Sequence, residues 1–247
     1  MSDLFDLTGR VALVTGGSRG LGRQMVLAFA DAGADVVIAS RKQDACDAVA
    51  KEVRDRGRRA LAVATHVGRW DDLDRLVETA YDEFGKIDVL VNNAGMSPLA
   101  PSSAETSEEL FDKVIAVNFK GPFRLTAAVG QRMFDGAGGS IINVSSTGSL
   151  MPRPRFGPYA GAKAALNALT TVFALEYAPK VRVNTIAAGP FLTDISDAWP
   201  EEDRRTARSA AGRPGNPEEI VTSALYLASP ASSFTNGTLI RVDGGLY

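Results

Sequence analysis

The chain has 247 residues, of which 45% are hydrophobic and 23% charged, and a formal net charge of −2. One His and one Cys exclude an intramolecular disulfide framework and a structural zinc site, which needs about four Cys or His ligands, so no metal is expected. The balanced charge excludes a nonspecific nucleic-acid footprint, and no run of about 18 apolar residues is present to span a membrane.

In chain order, apolar runs alternate with helical patterns. Val11–Thr15 reads as a buried strand, followed by a helix from about Leu21 to Ala32 that stops at Gly33. Val36–Ser40 is a second strand, and a helix over about Asp44–Arg56 ends at Gly57. Ala60–Thr65, a helix over Asp71–Phe84 and the strand Ile87–Val91 come next. Thr106-Ser-Glu-Glu109 has the form of a capping box that opens one long helix toward Met133. Ser140–Ser145 is strand five, Pro158–Ala178 a long helix and Val181–Ile186 strand six. A loop-rich stretch runs from about Ala188 to Gly215. Asn216-Pro217-Glu218-Glu219 then supplies an N-cap, an N1 proline and two first-turn acids for another helix, before a last strand at Thr238–Val242. Strands separated by helices indicate βαβ units. Strands that are apolar throughout indicate a parallel sheet covered on both faces. The expected fold is a single α/β domain over residues 1–247, a Rossmann-type, doubly wound parallel β-sheet in a three-layer α/β/α arrangement. Its ligand should lie across the carboxyl ends of the strands.

Strand one runs directly into Thr15-Gly-Gly-Ser-Arg-Gly-Leu-Gly22, which opens a helix. Glycines at 16, 20 and 22 permit a tight turn and close approach of a pyrophosphate to backbone N–H groups at a helix N-terminus. Further along stand Asn92-Asn-Ala-Gly95 after strand four, Asn118, Ser146, Tyr159-x-x-x-Lys163 and Gly189-Pro190 after strand six. In type, order and spacing these motifs resemble the short-chain dehydrogenase/reductase family, in its compact branch of about 250 residues. The likeness runs from about Thr8 to Gly245 and includes the neighbourhood of 3-oxoacyl-carrier-protein reductases and sugar-acid dehydrogenases. It implies an enzyme that moves a hydride between a nicotinamide and a small-molecule carbonyl or alcohol. Two alternatives stay open: a non-catalytic NADP(H)-binding regulator on the same fold, and an NAD-dependent alcohol or sugar-acid dehydrogenase.

Tyr159 and Lys163 are four apart on a predicted helix and share a face. Bringing a phenol from a pKa of about 10 to about 7 requires roughly 4 kcal/mol. A lysine charge about 5.5 Å away at an effective dielectric near 20 supplies roughly 3 kcal/mol. The sequence therefore predicts that Lys163 lowers the pKa of Tyr159. The resemblance makes Ser146, rather than its neighbour Ser145, the hydroxyl that bonds the substrate oxygen. It makes Asn118 the residue that holds a water linking Lys163 to solvent. Tyr159 then gives or takes the oxygen-bound proton.

The resemblance assigns cofactor contacts to Gly16, Ser18, Arg19, Gly20, Leu21 and Gly22 in the glycine loop and to Asn93, Ala94 and Gly95 after strand four. It adds Tyr159 and Lys163, Pro190, and Thr193 near the carboxamide. Strand two ends Ser40-Arg41-Lys42 with no acid to bind a ribose 2′-hydroxyl, whereas Ser40 and Arg41 suit a 2′-phosphate. Arg19 resembles a second marker of the same kind, so NADP(H) is expected over NAD(H). Two departures from the family stand out. His66-Val67 replaces the Asp-Val that contacts the adenine, and Ala188 replaces a proline before Gly189-Pro190.

Residues from about 190 to 215 have the size of an active-site lid, with a solvated helix expected through Glu201–Arg205. Met151-Pro-Arg-Pro-Arg-Phe156 should line the substrate entrance, where Arg153 and Arg155 either stand as two exposed arginines in a Pro-stiffened loop or favour an anionic substrate or carrier. The helix from Tyr159 to Ala178 carries only Lys163 and Glu176 as formal charges, so its outer face should cover a neighbouring subunit. Family members usually assemble as tetramers through two long helices and the last strand, and a homotetramer is expected. The N-terminal MSDLFDLTGR lacks the basic and apolar regions of a secretory signal, which makes the cytoplasm the expected location.

Overall fold

The computed structural model describes residues 3–194, 196, 201 and 209–246. Its seven strands are β1 Val11–Thr15, β2 Asp35–Ser40, β3 Ala60–Ala64, β4 Val89–Asn92, β5 Gly139–Ser146, β6 Val181–Ala188 and β7 Leu239–Val242. They form one sheet in the order β3-β2-β1-β4-β5-β6-β7, every pair parallel. The helices are α1 Gly20–Asp31, α2 Gln43–Arg54, α3 Trp70–Phe84, α4 Glu108–Ile115, α5 Gly121–Asp135, α6 Gly157–Glu176 and α7 Val221–Ala228. This is the doubly wound, three-layer Rossmann-type arrangement expected from the sequence.

The side-chain alternation of each strand divides the core in two. From β1, Ala12 and Val14 pack with α1, α2 and α7 around Met25, Phe29, Val49 and Ala224. Val11 and Leu13 face the other way, onto α3, α5 and α6 around Leu76, Leu125 and Phe173. Every residue of β1 is buried, as a central parallel strand covered on both faces requires. The chain winds outward from β1 to β3, then returns to place β4 against the other side of β1. The loops that follow β1 and β4 therefore diverge, and the crevice between them opens at the carboxyl ends of the strands.

Three local expectations need correction. The strands are not apolar throughout: Asn92, Asn143, Asn184 and Thr185 are all buried. Asn92 Nδ2 donates to Asn143 Oδ1 (2.9 Å) and to Thr126 Oγ1 (3.0 Å). Asn143 Nδ2 donates to Thr170 Oγ1 (2.9 Å), which also pairs with Thr185 Oγ1 (2.7 Å). A buried polar group is tolerated when bonded in this way, and here the chain of bonds fixes α6 against β5 and β6. The cap of α4 is Ser107 rather than Thr106, because Ser107 Oγ accepts from Leu110 N (3.2 Å). The long helix toward Met133 is also interrupted: residues Ala116–Lys120 form a π-helical turn between α4 and α5. Gly121 follows this turn. A Cβ there would stand 2.2 Å from the Val67 carbonyl oxygen, so a helix with a side chain at 121 could not approach the loop after β3 so closely. The capping box at Asn216 is present as expected, over a short 3₁₀ turn that leads into α7.

Candidate active site

The crevice is built first by Thr15, the last residue of β1. Its Oγ1 donates to Val91 O (3.2 Å) and accepts from Asn93 N (3.0 Å) and Ala94 N (3.1 Å). Asn93 Nδ2 returns bonds to Thr15 O (2.9 Å) and Gly16 O (3.3 Å). The loops after β1 and β4 are thereby laced together across nearly 80 residues of sequence. Sequence reasoning missed Thr15, although a hydroxyl at a strand end just before the glycine loop was the available signal.

Within that loop Gly16 and Gly20 have positive φ, 65° and 51°, which a side chain would strain. A Cβ on Gly22 would lie 2.2 Å from Gly16 O, so only glycine lets the first turn of α1 sit against the loop. The α1 N-cap, Arg19, is extended and makes no side-chain capping bond. The first backbone N–H groups of α1 thus face the crevice mouth without a side-chain cap, as an anion site at a helix N-terminus requires. These features fit a nicotinamide dinucleotide. Ser18 Oγ donates to Ser40 Oγ (2.9 Å), which joins the glycine loop to the end of β2, where Arg41 is exposed. Leu21 is half-buried beside the α1 core. Arg19 is paired with Asp194 at 2.9 Å, a contact the sequence did not suggest.

The second half of the site gathers at the ends of β4 and β5. Lys163, from α6, is 3% exposed, and its Nζ donates to Val144 O (2.8 Å). Asn118 lies in the π turn and is fully buried. Its Oδ1 accepts from Met96 N (3.2 Å), while its Nδ2 donates to Met96 O (2.9 Å) and Val114 O (3.0 Å). The bond to Val114, four residues back, is the local side-chain-to-backbone competition that disturbs a helix, and it falls in the helical interruption. A Cβ on Gly95 would sit 3.0 Å from Asn118 Oδ1 and 3.6 Å from Lys163 Nζ, so Gly95 leaves the space in which those groups approach each other.

Ser145 and Ser146 point to opposite faces of β5. Ser145 is buried and donates to Lys163 O (3.3 Å), while Ser146 is half-buried at the cleft. Ser146 Oγ accepts from Gly148 N (3.0 Å), so its own proton is left to be donated on the Tyr159 side. Tyr159, in the first turn of α6, is half-buried with the Phe156 ring 6.1 Å away. Its electrostatics depart from expectation. In the protein alone, burial pushes the Tyr159 phenol above its ordinary pKa, and the Ser146 side chain opposes that shift. Burial likewise holds the Lys163 ammonium down, to about 8. Burial disfavours the charged form of each group.

The remaining predicted residues are spread around this centre. His66 is half-buried at the end of β3, and its Nδ1 accepts from Gly68 N (3.2 Å), which assigns the neutral ring proton to Nε2. His66 borders a cavity of about 440 Å³ against Lys113, Ala116 and Lys120, set apart from Ser146, Tyr159 and Lys163. Val67 is buried beneath Gly121. Pro190 O accepts from Gly215 N (2.9 Å), and Thr193 Cγ2 would lie 3.4 Å from a Cβ on Gly20. Ala188 stays in register in β6, paired with Ser146 on one side and Val242 on the other. Arg155 is exposed but anchored through one guanidinium nitrogen. It has a φ of 72°, and its Nε donates to Ala100 O (2.8 Å), which ties the loop before α6 to the loop after β4. Arg153 is exposed. The expected lid helix through Glu201–Arg205 lies outside the described residues except for Glu201. Among the described residues no group of His, Cys, Asp or Glu could hold a metal ion, and no helix is long and apolar enough to cross a membrane.

Comparison with known proteins identifies the family. The short chain dehydrogenase family profile matches residues 10–204. An uncharacterised oxidoreductase of Mycobacterium tuberculosis is 41% identical over 99% of this chain and 94% of its own length. The 5-keto-D-gluconate 5-reductase of Escherichia coli is 35% identical over 100% of this chain and 98% of its own. A solved 7α-hydroxysteroid dehydrogenase, complexed with NADH and a 7-oxo bile acid, superposes with a TM-score of 0.94 at 32% identity, covering 99% of this chain and 97% of that one. With its parallel seven-stranded sheet, its glycine loop and its Tyr159–Lys163 helix, the chain belongs to the short-chain dehydrogenase family of oxidoreductases.

Proposed function

We propose that the protein is an NADP(H)-dependent oxidoreductase that interconverts a carbonyl and a secondary alcohol, with Tyr159 as the general acid and base. The observation that carries this reading is that Ser146 and Tyr159 meet about Gly148, and Asn118 and Lys163 about Gly95, at the strand ends where the N-terminus of α1 lacks a side-chain cap. The nicotinamide, when bound, supplies or accepts the hydride. Ser146 donates its hydroxyl proton to the substrate oxygen when substrate is bound. Tyr159 moves the proton of that oxygen, and Lys163 carries positive charge beside Asn118 and Gly95. Asn118, locked to Met96 on both its polar atoms, keeps that side of the lysine pocket in place. A phenol pushed up by burial is suited to donate a proton, the carbonyl-reducing direction. Positive charge from a bound oxidised nicotinamide would favour the phenolate for the reverse.

NADP(H) rather than NAD(H) is read from Ser40 and Arg41 at the end of β2, where no acid stands to repel a 2′-phosphate. The NADH in the related steroid dehydrogenase favours the alternative. Tyr159→Phe decides the catalytic reading: turnover of a carbonyl panel should fall at least about 10²-fold while NADPH binding, followed by nicotinamide fluorescence, persists. Unchanged turnover, or binding only of NADH, would refute the respective half.

Assembly is read from apolar exposure. Val172 and Leu175 on the outer face of α6 are 51% and 76% exposed, and Phe111 and Phe123 stand out on α4 and α5. β7 lies at an open sheet edge. Burial of these surfaces between copies supports a homotetramer, which light scattering tests. The compartment is read as the cytoplasm, in line with a single, buried cysteine.

A further inference from the structure

We infer that Asp194 sets how strongly this site discriminates NADPH from NADH, because it competes with the 2′-phosphate for Arg19. The inference rests on the NADP(H) reading above. Arg19 stands in the glycine loop between Ser18 and Gly20. Ser18 is bonded to Ser40 at the end of β2, next to Arg41, so Arg19 adjoins the cluster assigned to the 2′-phosphate. Its guanidinium nevertheless donates to Asp194 Oδ2 at 2.9 Å. Asp194 follows Thr193, whose methyl group lies over Gly20, so the start of the segment after β6 rests on the glycine loop and delivers a carboxylate to it.

One guanidinium thus has two anions in reach, and a phosphate must draw it away from a partner of the same sign. NADH brings no 2′-phosphate and leaves the pair intact. Asp194 therefore weakens NADPH binding without touching NADH binding, and the discrimination ratio is lower than Ser40, Arg41 and Arg19 alone would give. The side chains are 59% and 53% exposed, so the effect is that of a solvent-screened pair, about two- to fivefold in affinity.

The test is a set of fluorescence titrations with NADPH and NADH on the wild-type chain, Asp194→Asn, Asp194→Ser, Arg19→Ala and the double variant Arg19→Ala/Asp194→Asn. Asp194→Asn and Asp194→Ser should each tighten NADPH about two- to fivefold and leave NADH unmoved. The gain should vanish in the Arg19→Ala background. Unchanged NADPH affinity, or equal weakening of both nucleotides because Asp194 only anchors its segment, overturns the inference while NADPH preference stands. A wild-type chain that binds NADH more tightly than NADPH overturns the NADP(H) reading and this inference with it.

Discussion

Replacing Lys163 by Met should stabilise the protein at neutral pH while removing its activity, and the gain should shrink as the pH rises. Burial lowers the Lys163 pKa from 10.5 to about 8. At about 1.36 kcal/mol per unit, keeping that ammonium in the folded chain at pH 7 costs about 3 kcal/mol. The bond from Nζ to Val144 O offsets part of this, and Met leaves that carbonyl without its partner, at about 1–2 kcal/mol. A net gain of about 1–2 kcal/mol remains, equivalent to about 2–8 °C in Tm for a chain of this size. The sign of the pH dependence follows from linkage. Below about 8 the lysine is protonated in both states and the full penalty applies. Between about 8 and 10.5 the unfolded chain binds more protons than the folded one, so wild-type stability rises relative to the variant. By pH 9.5 the penalty should have fallen by about 2 kcal/mol. Urea unfolding of both proteins at pH 7 and pH 9.5 measures this directly. A stability difference that is the same at both pH values, or that grows in favour of Met, would refute the claim that burial holds Lys163 down.

Two further expectations test local geometry. Arg155→Gly and Arg155→Ala both lose the bond to Ala100, but only Ala must hold a side chain at a φ of 72°. Arg155→Ala should therefore be less stable than Arg155→Gly by about 1 kcal/mol; equal urea midpoints at equal slope would show that the backbone there is not strained. Ser107→Ala should lose about 1 kcal/mol as the α4 cap is removed, and Thr106→Ala less than half of that. Thermal unfolding of the pair decides this, and the reverse ranking would restore the cap expected from the sequence.

The order and type of the elements were legible in the sequence because each is written in local chemistry. Largely apolar runs mark strands buried on two faces, Gly33 and Gly57 end helices, and Asn216-Pro217 starts one. The glycine loop was legible for the same reason: at Gly16 and Gly22 the backbone leaves no place for a side chain. The error over α4 arose where two adjacent hydroxyl residues both fit a cap and only the path of the chain selects Ser107. The π turn was invisible because it accompanies contacts the sequence does not show, the Asn118 bond to Val114 and the loop after β3 packed against Gly121 from more than 50 residues away.

By itself, the sequence determined a parallel α/β sheet with a nucleotide-type loop and placed Tyr159 and Lys163 one helical turn apart. It could not determine what those side chains experience. Thr15 meets Asn93, Arg155 meets Ala100 and Arg19 meets Asp194 across 78, 55 and 175 residues, and such contacts follow from how the sheet closes its loops over the crevice. The sign of the Tyr159 shift belongs to the same class. Four-residue spacing implies a neighbouring positive charge, but the charge state of a phenol also depends on how much water surrounds it. Only the packed α6, with Lys163 turned to Val144, reveals that burial raises the phenol and that Ser146 is the group opposing it.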